Sequence, residues 1–110
     1  MDDCIFCKIS KGEIPTEFLY EDDRAVAFDD INPEAPVHVI IIPREHIPSF
    51  NDLGPEHKDL LGHLSLVMKE VARLKGVQES GYRILTNCGT GAGQVVFHLH
   101  FHLLGGKRFR

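Results

Sequence analysis

The sequence predicts an α+β fold in which an antiparallel β-meander carries one long helix and one short one. Three observations lead there. Between Pro55 and about Lys75, the apolar residues Leu60, Leu64, Val67, Val71 and Leu74 step by four and three, the spacing that lines one face of an α-helix. On either side lie short runs rich in β-branched and aromatic residues, mostly separated by turn-length polar segments. The length of 110 residues, with 43% hydrophobic and 25% charged side chains, suits a single globular domain over 1–110 and is too small for two independent cores. Strands before and after one long helix, joined by short turns, favour antiparallel pairing.

Each element has its own signal. "IFCKISKGEI" places Ile5, Ile9 and, less regularly, Ile14 among polar residues, a short helix ended by Gly12 and Pro15. "FLYED" and "AVAFDD" flank the polar "EDDR" and read as a hairpin. "VHVIIIPREH" is a strand, β-branched along its length and closed by Pro43. The long helix has Gly54 before Pro55 as its start and Gly76 as its C′ residue, where a left-handed backbone is expected. "YRILTNC" then gives a strand, "GTGAG" a glycine loop and "VVFHLHFHLL" the last strand, with no internal repeat.

Charge and composition exclude several classes. A net charge of −4, with basic residues scattered apart from the closing "GGKRFR", offers no cationic face for a phosphodiester backbone, so no nucleic-acid partner is expected. "MDDCIFCKIS" has two acids and no apolar run of signal-peptide length, and no segment approaches the roughly 20 apolar residues of a membrane span, so a cytoplasmic protein is expected. The cysteine count of 3 is odd and shows no disulfide framework, which fits a reducing compartment where thiols stay free or bind metal.

The chemistry concentrates in "GQVVFHLHFHLLGG". On a strand, alternate side chains point to opposite faces, so His98, His100 and His102 share one face while Phe97, Leu99, Phe101 and Leu103 share the other. The apolar row can bury against the long helix, leaving the imidazoles over a groove. A row of imidazoles serves as nucleophile, acid, base or metal ligand. Two readings stand here: a catalytic zinc site with an open position for water, or direct attack on phosphorus by one ring while its neighbours orient it and protonate the leaving group. The preceding "NCGTGAGQ" supplies backbone N–H groups and neutral amides suited to phosphate oxygens.

Cys4 and Cys7 form a Cys-x-x-Cys pair, readable as a redox dithiol, as half of a zinc site or as a coincidence of spacing. No strand precedes the pair, as a thioredoxin-like motif would require. Cys88 reads as a small buried hydrophobe, and His57 and His63 as solvated or half-buried residues of the long helix and its start.

"HLHFHLL" resembles the His-φ-His-φ-His-φ-φ signature of the histidine triad (HIT) family of nucleotide hydrolases and transferases. "IFCKISKGEIP", "YEDDRAVAFDDINPEAPVHVIIIPREHI", "GYRILTNCGTGAGQ" and "LLGG" resemble its Hint branch in order and spacing, over nearly the whole chain. The resemblance implies a HIT-like sheet and hydrolysis at the α-phosphate of purine nucleotide conjugates, with nucleoside phosphoramidates such as AMP-lysine as the substrate class. His100 would be the nucleophile, forming a nucleotidyl-histidine. His102 would hold the phosphate and assist the leaving group, His38 would complete the cluster, and His98 would be the first histidine of the signature. Asn87, Gln94, Val95 and Val96 would contact the phosphate or leaving group. Asp30 would accept the ribose hydroxyls, although it also suits a turn before "INP". Ile5, Phe6 and Ile31 would line the base pocket. Val95 stands where some Hint proteins carry a serine, so only its backbone N–H remains for such a bond.

The resemblance further implies a structural Zn2+ on Cys4, Cys7, His46 and His98, saturated by four protein ligands, with no catalytic metal required, and a homodimer. The alternatives are dinucleoside polyphosphate hydrolysis or nucleotidyl transfer by the same histidine, a non-catalytic nucleotide-binding regulatory module, and a zinc hydrolase.

Overall fold

A computed structural model describes residues 3–109. The elements are α1 (Ile5–Ser10), β1 (Tyr20–Glu21), β2 (Ala25–Asp29), β3 (Val37–Pro43), α2 (Lys58–Leu74), β4 (Tyr82–Leu85) and β5 (Phe101–Gly105), with single turns of 3-10 helix at Phe50–Asp52, Pro55–His57 and Thr90–Ala92. The five strands form an antiparallel sheet in the order β1-β2-β3-β5-β4. The first three run as a meander. The chain then passes through α2 and returns with β4 at the outer edge and β5 between β4 and β3.

Period-two alternation divides the sheet into two faces. One face presents Ala25, Ala27, Val39, Ile41, Phe101 and Leu103 to Leu60, Leu64, Val67, Met68 and Val71 of α2. The other presents Val26, Phe28, Ile40 and Ile42, packed with Phe6 and Ile9 of α1. Ile40 lies opposite His102 in the β3–β5 register, and His38 is two residues from Ile40, so both imidazoles project on the α1 face. With only six residues, α1 covers part of that face: Phe6 packs against the buried His98 and His100, and His102 beyond it is only half-buried.

The last strand is shorter than its sequence suggests. Pairing starts at Phe101, and "YRILTNC" pairs only through Leu85. Continuing the register would set Leu99 against Pro43, which has no N–H for the ladder. Leu99 N–H instead donates to the Ile47 carbonyl at 2.6 Å, and the Thr86 hydroxyl takes the His100 carbonyl at 2.6 Å. Alternation nevertheless persists through the irregular part, because Leu99 joins the α2-side core while Phe6 on the other face touches the rings of His98 and His100. It fails at Phe97, which is 44% exposed rather than buried in the apolar row.

The long helix begins as a 3-10 turn at Pro55. His57 is buried there and caps it: its Nδ1 accepts from the Gly54 N–H at 2.9 Å, and its Nε2 lies 3.3 Å from Glu45 Oε2. At the far end Gly76 takes φ +72°, and the N–H groups of Gly76 and Val77 close on the carbonyls of Arg73 and Ala72. Leu74, the last residue of the apolar stripe, is half-exposed where the helix runs past the core. Cys88 is half-buried, not core. No helix among the described residues is long and apolar enough to cross a membrane.

A polar hub fastens the hairpin to α2. The Asp22 carboxylate accepts from the Tyr20 hydroxyl at 2.7 Å, from the N–H groups of Arg24 and Ala25 at 2.7 and 2.8 Å, and meets His63 Nε2 at 2.6 Å. Burial alone would raise the carboxyl, but these donors hold it at about 2. Because the folded value lies below the unfolded one, this stabilisation is present above the ordinary carboxylate range and is lost as pH falls toward about 2. Asp22→Ala is expected to lower the unfolding free energy at neutral pH by about 2 kcal/mol. In urea titrations, the gap from the parent chain should shrink with acidification through that window.

Candidate active site

Four of the candidate residues meet at the open end of the sheet. His38, buried on β3, accepts the Glu34 backbone N–H at its Nδ1, 3.0 Å away. A backbone N–H only donates, so the proton of neutral His38 lies on Nε2. That N–H points at His102 Nδ1, 2.9 Å away, with Asp30 Oδ2 at 3.4 Å. His102 therefore accepts at Nδ1 and presents an Nε2–H donor. A recess of about 170 Å³ between β3 and β4 is lined by His38, His102, Asn87 and Glu34.

His100 is fixed from the other side. Its Nδ1 lies 2.7 Å from the His98 carbonyl, an acceptor only, so Nδ1 carries the hydrogen and Nε2 keeps its lone pair. The ring sits edge-on to Phe6 at 5.0 Å and to His102 at 5.1 Å between centroids. Burial pulls His100 below the ordinary imidazole range, against the opposing bond to the His98 carbonyl. Burial does the same to His102, reinforced by the neighbouring rings of His100 and His38. Both are thus favoured in the neutral form, which a nitrogen nucleophile requires.

Beside them is a cleft of about 460 Å³ whose lining includes Ile5, Phe6, Phe28, Asp30, Ile31 and Ile40. Its size and apolar walls suit a planar ring with a small polar appendage. Phe6 belongs to the core as well, whereas Ile31 is 91% exposed and Ile5 is 47% exposed, far more than core residues would be. Asp30 is both turn former and cleft carboxylate: Oδ1 accepts from the Asn32 N–H at 2.8 Å, while Oδ2 faces His38.

The glycine loop is held from within. Gln94 is buried; its Oε1 accepts from the Gly89 N–H at 2.8 Å, and its Nε2 donates to the carbonyls of Pro48 at 2.8 Å and Val96 at 3.0 Å. The side chain expected to touch phosphate is thus engaged with backbone and acts as a brace for the loop. Gly93, at φ +89°, makes the left-handed turn leading into it. Val95 is 84% exposed and Val96 packs partly on the α1-side cluster.

Cys4, Cys7, His46 and His98 converge, with one donor atom from each within 4.8 Å of all the others. Cys4 Sγ lies 3.4 Å from His98 Nδ1, and Cys7 Sγ lies 3.3 and 3.5 Å from Nδ1 of His46 and His98. Tetrahedral zinc with ordinary Zn–S and Zn–N bonds places such S···N pairs about 3.6 Å apart. His98 Nε2 lies 2.8 Å from the Pro43 carbonyl, so it carries the hydrogen and Nδ1 is free to ligate. The residues fit the ion.

Asp30, His38 and His102 also gather donor atoms within 4.8 Å. Here the same test gives the opposite result, because the Glu34 N–H leaves a proton, not a lone pair, on His38 Nε2. That cluster is a hydrogen-bond chain. Titrating the apoprotein with Co2+ should therefore give the visible absorption of tetrahedral, sulfur-ligated cobalt, which Cys7→Ser should abolish and His102→Ala should leave intact.

Several contributors had no visible signal in the sequence. The Glu34 N–H and the carbonyls of Pro43 and His98 are backbone groups, which no side-chain motif can reveal. Thr86 looks like any strand threonine. Arg44 bonds the Ser10 carbonyl at the end of α1 and the Asp22 carbonyl at 2.8 Å, joining the cleft-bearing helix to the hairpin. The pairing of His63 with Asp22 crosses from helix to turn and has no sequence spacing to announce it.

A family profile described as "Scavenger mRNA decapping enzyme C-term binding" matches residues 3–108. The chain is similar to the purine nucleoside phosphoramidase of Escherichia coli, 44% identical over 106 residues that cover 96% of this chain and 89% of that protein. It is 49% identical over 105 residues to protein HitA of Neisseria gonorrhoeae, covering 96% and 97% of the two chains. Among solved structures, a histidine triad protein from Clostridium difficile superposes with a TM-score of 0.95 at 44% identity, covering 100% of this chain and 96% of that one. A HIT family hydrolase from Clostridium thermocellum matches with a TM-score of 0.95 at 50% identity, covering 97% and 93%.

Proposed function

The chain belongs to the histidine triad family, and we propose that it hydrolyses purine nucleoside phosphoramidates, compounds in which an amine is joined to the α-phosphorus of a purine nucleotide. The name of the Escherichia coli relative supports the substrate class. The observation that carries the reading is the orientation of His100: its Nδ1–H is tied to the His98 carbonyl, which aims an unprotonated Nε2 away from the backbone.

In this reading the base lies in the cleft among Ile5, Phe6 and Ile31, and the ribose hydroxyls reach the Asp30 carboxylate. His100 Nε2 attacks the α-phosphorus and the phosphorus–nitrogen bond breaks. The departing amine takes up a proton from solvent, while the His102 Nε2–H, its ring held in place by the His38 Nε2–H, bonds a phosphate oxygen beside the leaving group. Water then attacks the nucleotidyl-histidine, the P–N bond to His100 breaks, and the water proton returns to solvent. Backbone N–H groups near Val95 and Val96, with the Asn87 amide, face the phosphate oxygens as charge grows. Val95 offers no hydroxyl to the leaving group.

Cys4, Cys7, His46 and His98 would hold Zn2+. With four protein ligands the ion supplies structural cross-linking rather than an activated water. A reducing, cytoplasmic setting suits a Cys4/Cys7 pair kept as metal ligands and not oxidised to a disulfide.

His100→Ala is expected to reduce turnover of an AMP amide by at least a thousandfold while AMP affinity changes only a few-fold. Rapid quenching of the parent enzyme should trap one nucleotide on His100, detected as a mass increment. Turnover by the variant within tenfold of the parent would remove the nucleophile assignment. We also propose a homodimer, supported by apolar side chains facing outward: Leu66, 67% exposed, and Leu74 on α2, with Ile84 on β4. Sedimentation equilibrium at micromolar concentration should give twice the chain mass; a monomer there would count against it.

A further inference from the structure

We propose that the Cys4/Cys7/His46/His98 cluster and the nucleotide site are energetically coupled, so that the metal ion and the nucleotide each tighten the binding of the other. The inference rests on the nucleotide reading above and adds to it a reciprocal link that a merely bracing ion would lack.

Two connections run from one site to the other. The first is α1. Ile5 and Phe6 lie between Cys4 and Cys7 in the chain, and both line the cleft. Cys4 is also the N-cap, its sulfur accepting the Cys7 N–H at 3.4 Å. A six-residue helix is too short to be held rigid by its own hydrogen bonds. An ion that fixes both sulfurs therefore fixes the turn carrying the cleft wall.

The second connection is His98. Its ring faces the two sulfurs through Nδ1, and its own carbonyl accepts the His100 Nδ1–H at 2.7 Å. Phe6 lies edge-on to both rings, at 5.9 Å from His98 and 5.0 Å from His100. The His98 ring is held at both nitrogens, by the cysteine sulfurs and by the Pro43 carbonyl, so it cannot swing freely, and a shift of the sulfur cluster passes to the His98 backbone and the carbonyl that aims His100. Positioning errors of this kind cost rate steeply. Cys4, Cys7, His46 and His98 are thus positioning residues.

Coupling of binding free energies is reciprocal, which supplies a test independent of turnover. AMP affinity is measured by calorimetry on zinc-loaded and zinc-stripped protein, and zinc affinity by chelator competition with and without saturating AMP. About tenfold tighter AMP binding in the zinc-loaded form is expected, with the same factor on zinc. Steady-state assays on an AMP amide should show a higher KM and a lower kcat for the stripped form. Equal AMP affinity in folded stripped and loaded protein would overturn the proposal and leave a bracing ion.

If the stripped protein does not fold by circular dichroism, cadmium-loaded protein replaces it. The larger ion should weaken AMP binding measurably, and unchanged affinity would overturn the coupling. If AMP fails to bind even the zinc-loaded form, the nucleotide reading fails. Coupling is then read from the His100 Nδ1 resonance in nitrogen-15 spectra, which should shift when zinc is removed or replaced by cadmium. An unmoved resonance would overturn it separately.

Discussion

A pleated strand turns successive side chains to opposite sides, and in this chain that alternation separates folding from chemistry. Leu99, Phe101 and Leu103 enter the core beneath α2, and the histidines between them face α1 and the cleft. A one-residue slip of β5 would exchange the two sets, burying imidazoles under the helix and exposing three large apolar side chains. Neighbouring β3 obeys the same parity, with Val39 and Ile41 on one side and His38 and Ile40 on the other. The packing of α2 therefore fixes which face the chemistry occupies.

On that face, backbone groups decide what each imidazole can do. The Glu34 N–H places a proton on His38 Nε2, and the His98 carbonyl leaves His100 Nε2 free. The Pro43 carbonyl leaves His98 Nδ1 free toward sulfur. Identical side chains thus differ, through a single hydrogen bond each, in which ring nitrogen carries the hydrogen and which keeps a lone pair. Two clusters of similar size differ for this reason, one suited to a cation and the other already bridged by a proton.

The fold was largely legible because its signals are periodic. The apolar step from Leu60 to Val71, the β-branched run ending at Pro43 and the alternation from His98 to Leu103 each specify an element and a face. Where strands end was less legible, because that depends on partners distant in sequence: Pro43 withholds an N–H beside Leu99, and Thr86 captures the His100 carbonyl. Of the candidate site, the imidazoles and thiols singled out from the sequence do gather into two groups, since strand spacing and Cys-x-x-Cys spacing are local. The sequence assigned Gln94 to phosphate because a free amide beside a glycine loop suits an anion. The fold instead encloses that amide among backbone partners that only tertiary structure supplies.

Gln94 has a further consequence for how a ligand arrives. Its two amide atoms bridge Gly89, Pro48 and Val96, immobilising a segment whose glycines would otherwise sample many conformations. The entropy of ordering that segment is lost during folding and is not levied again at each encounter. For the nucleotide conjugate proposed above, association should then be governed by diffusion and by stripping water from its phosphate, with little contribution from slow closure of the loop.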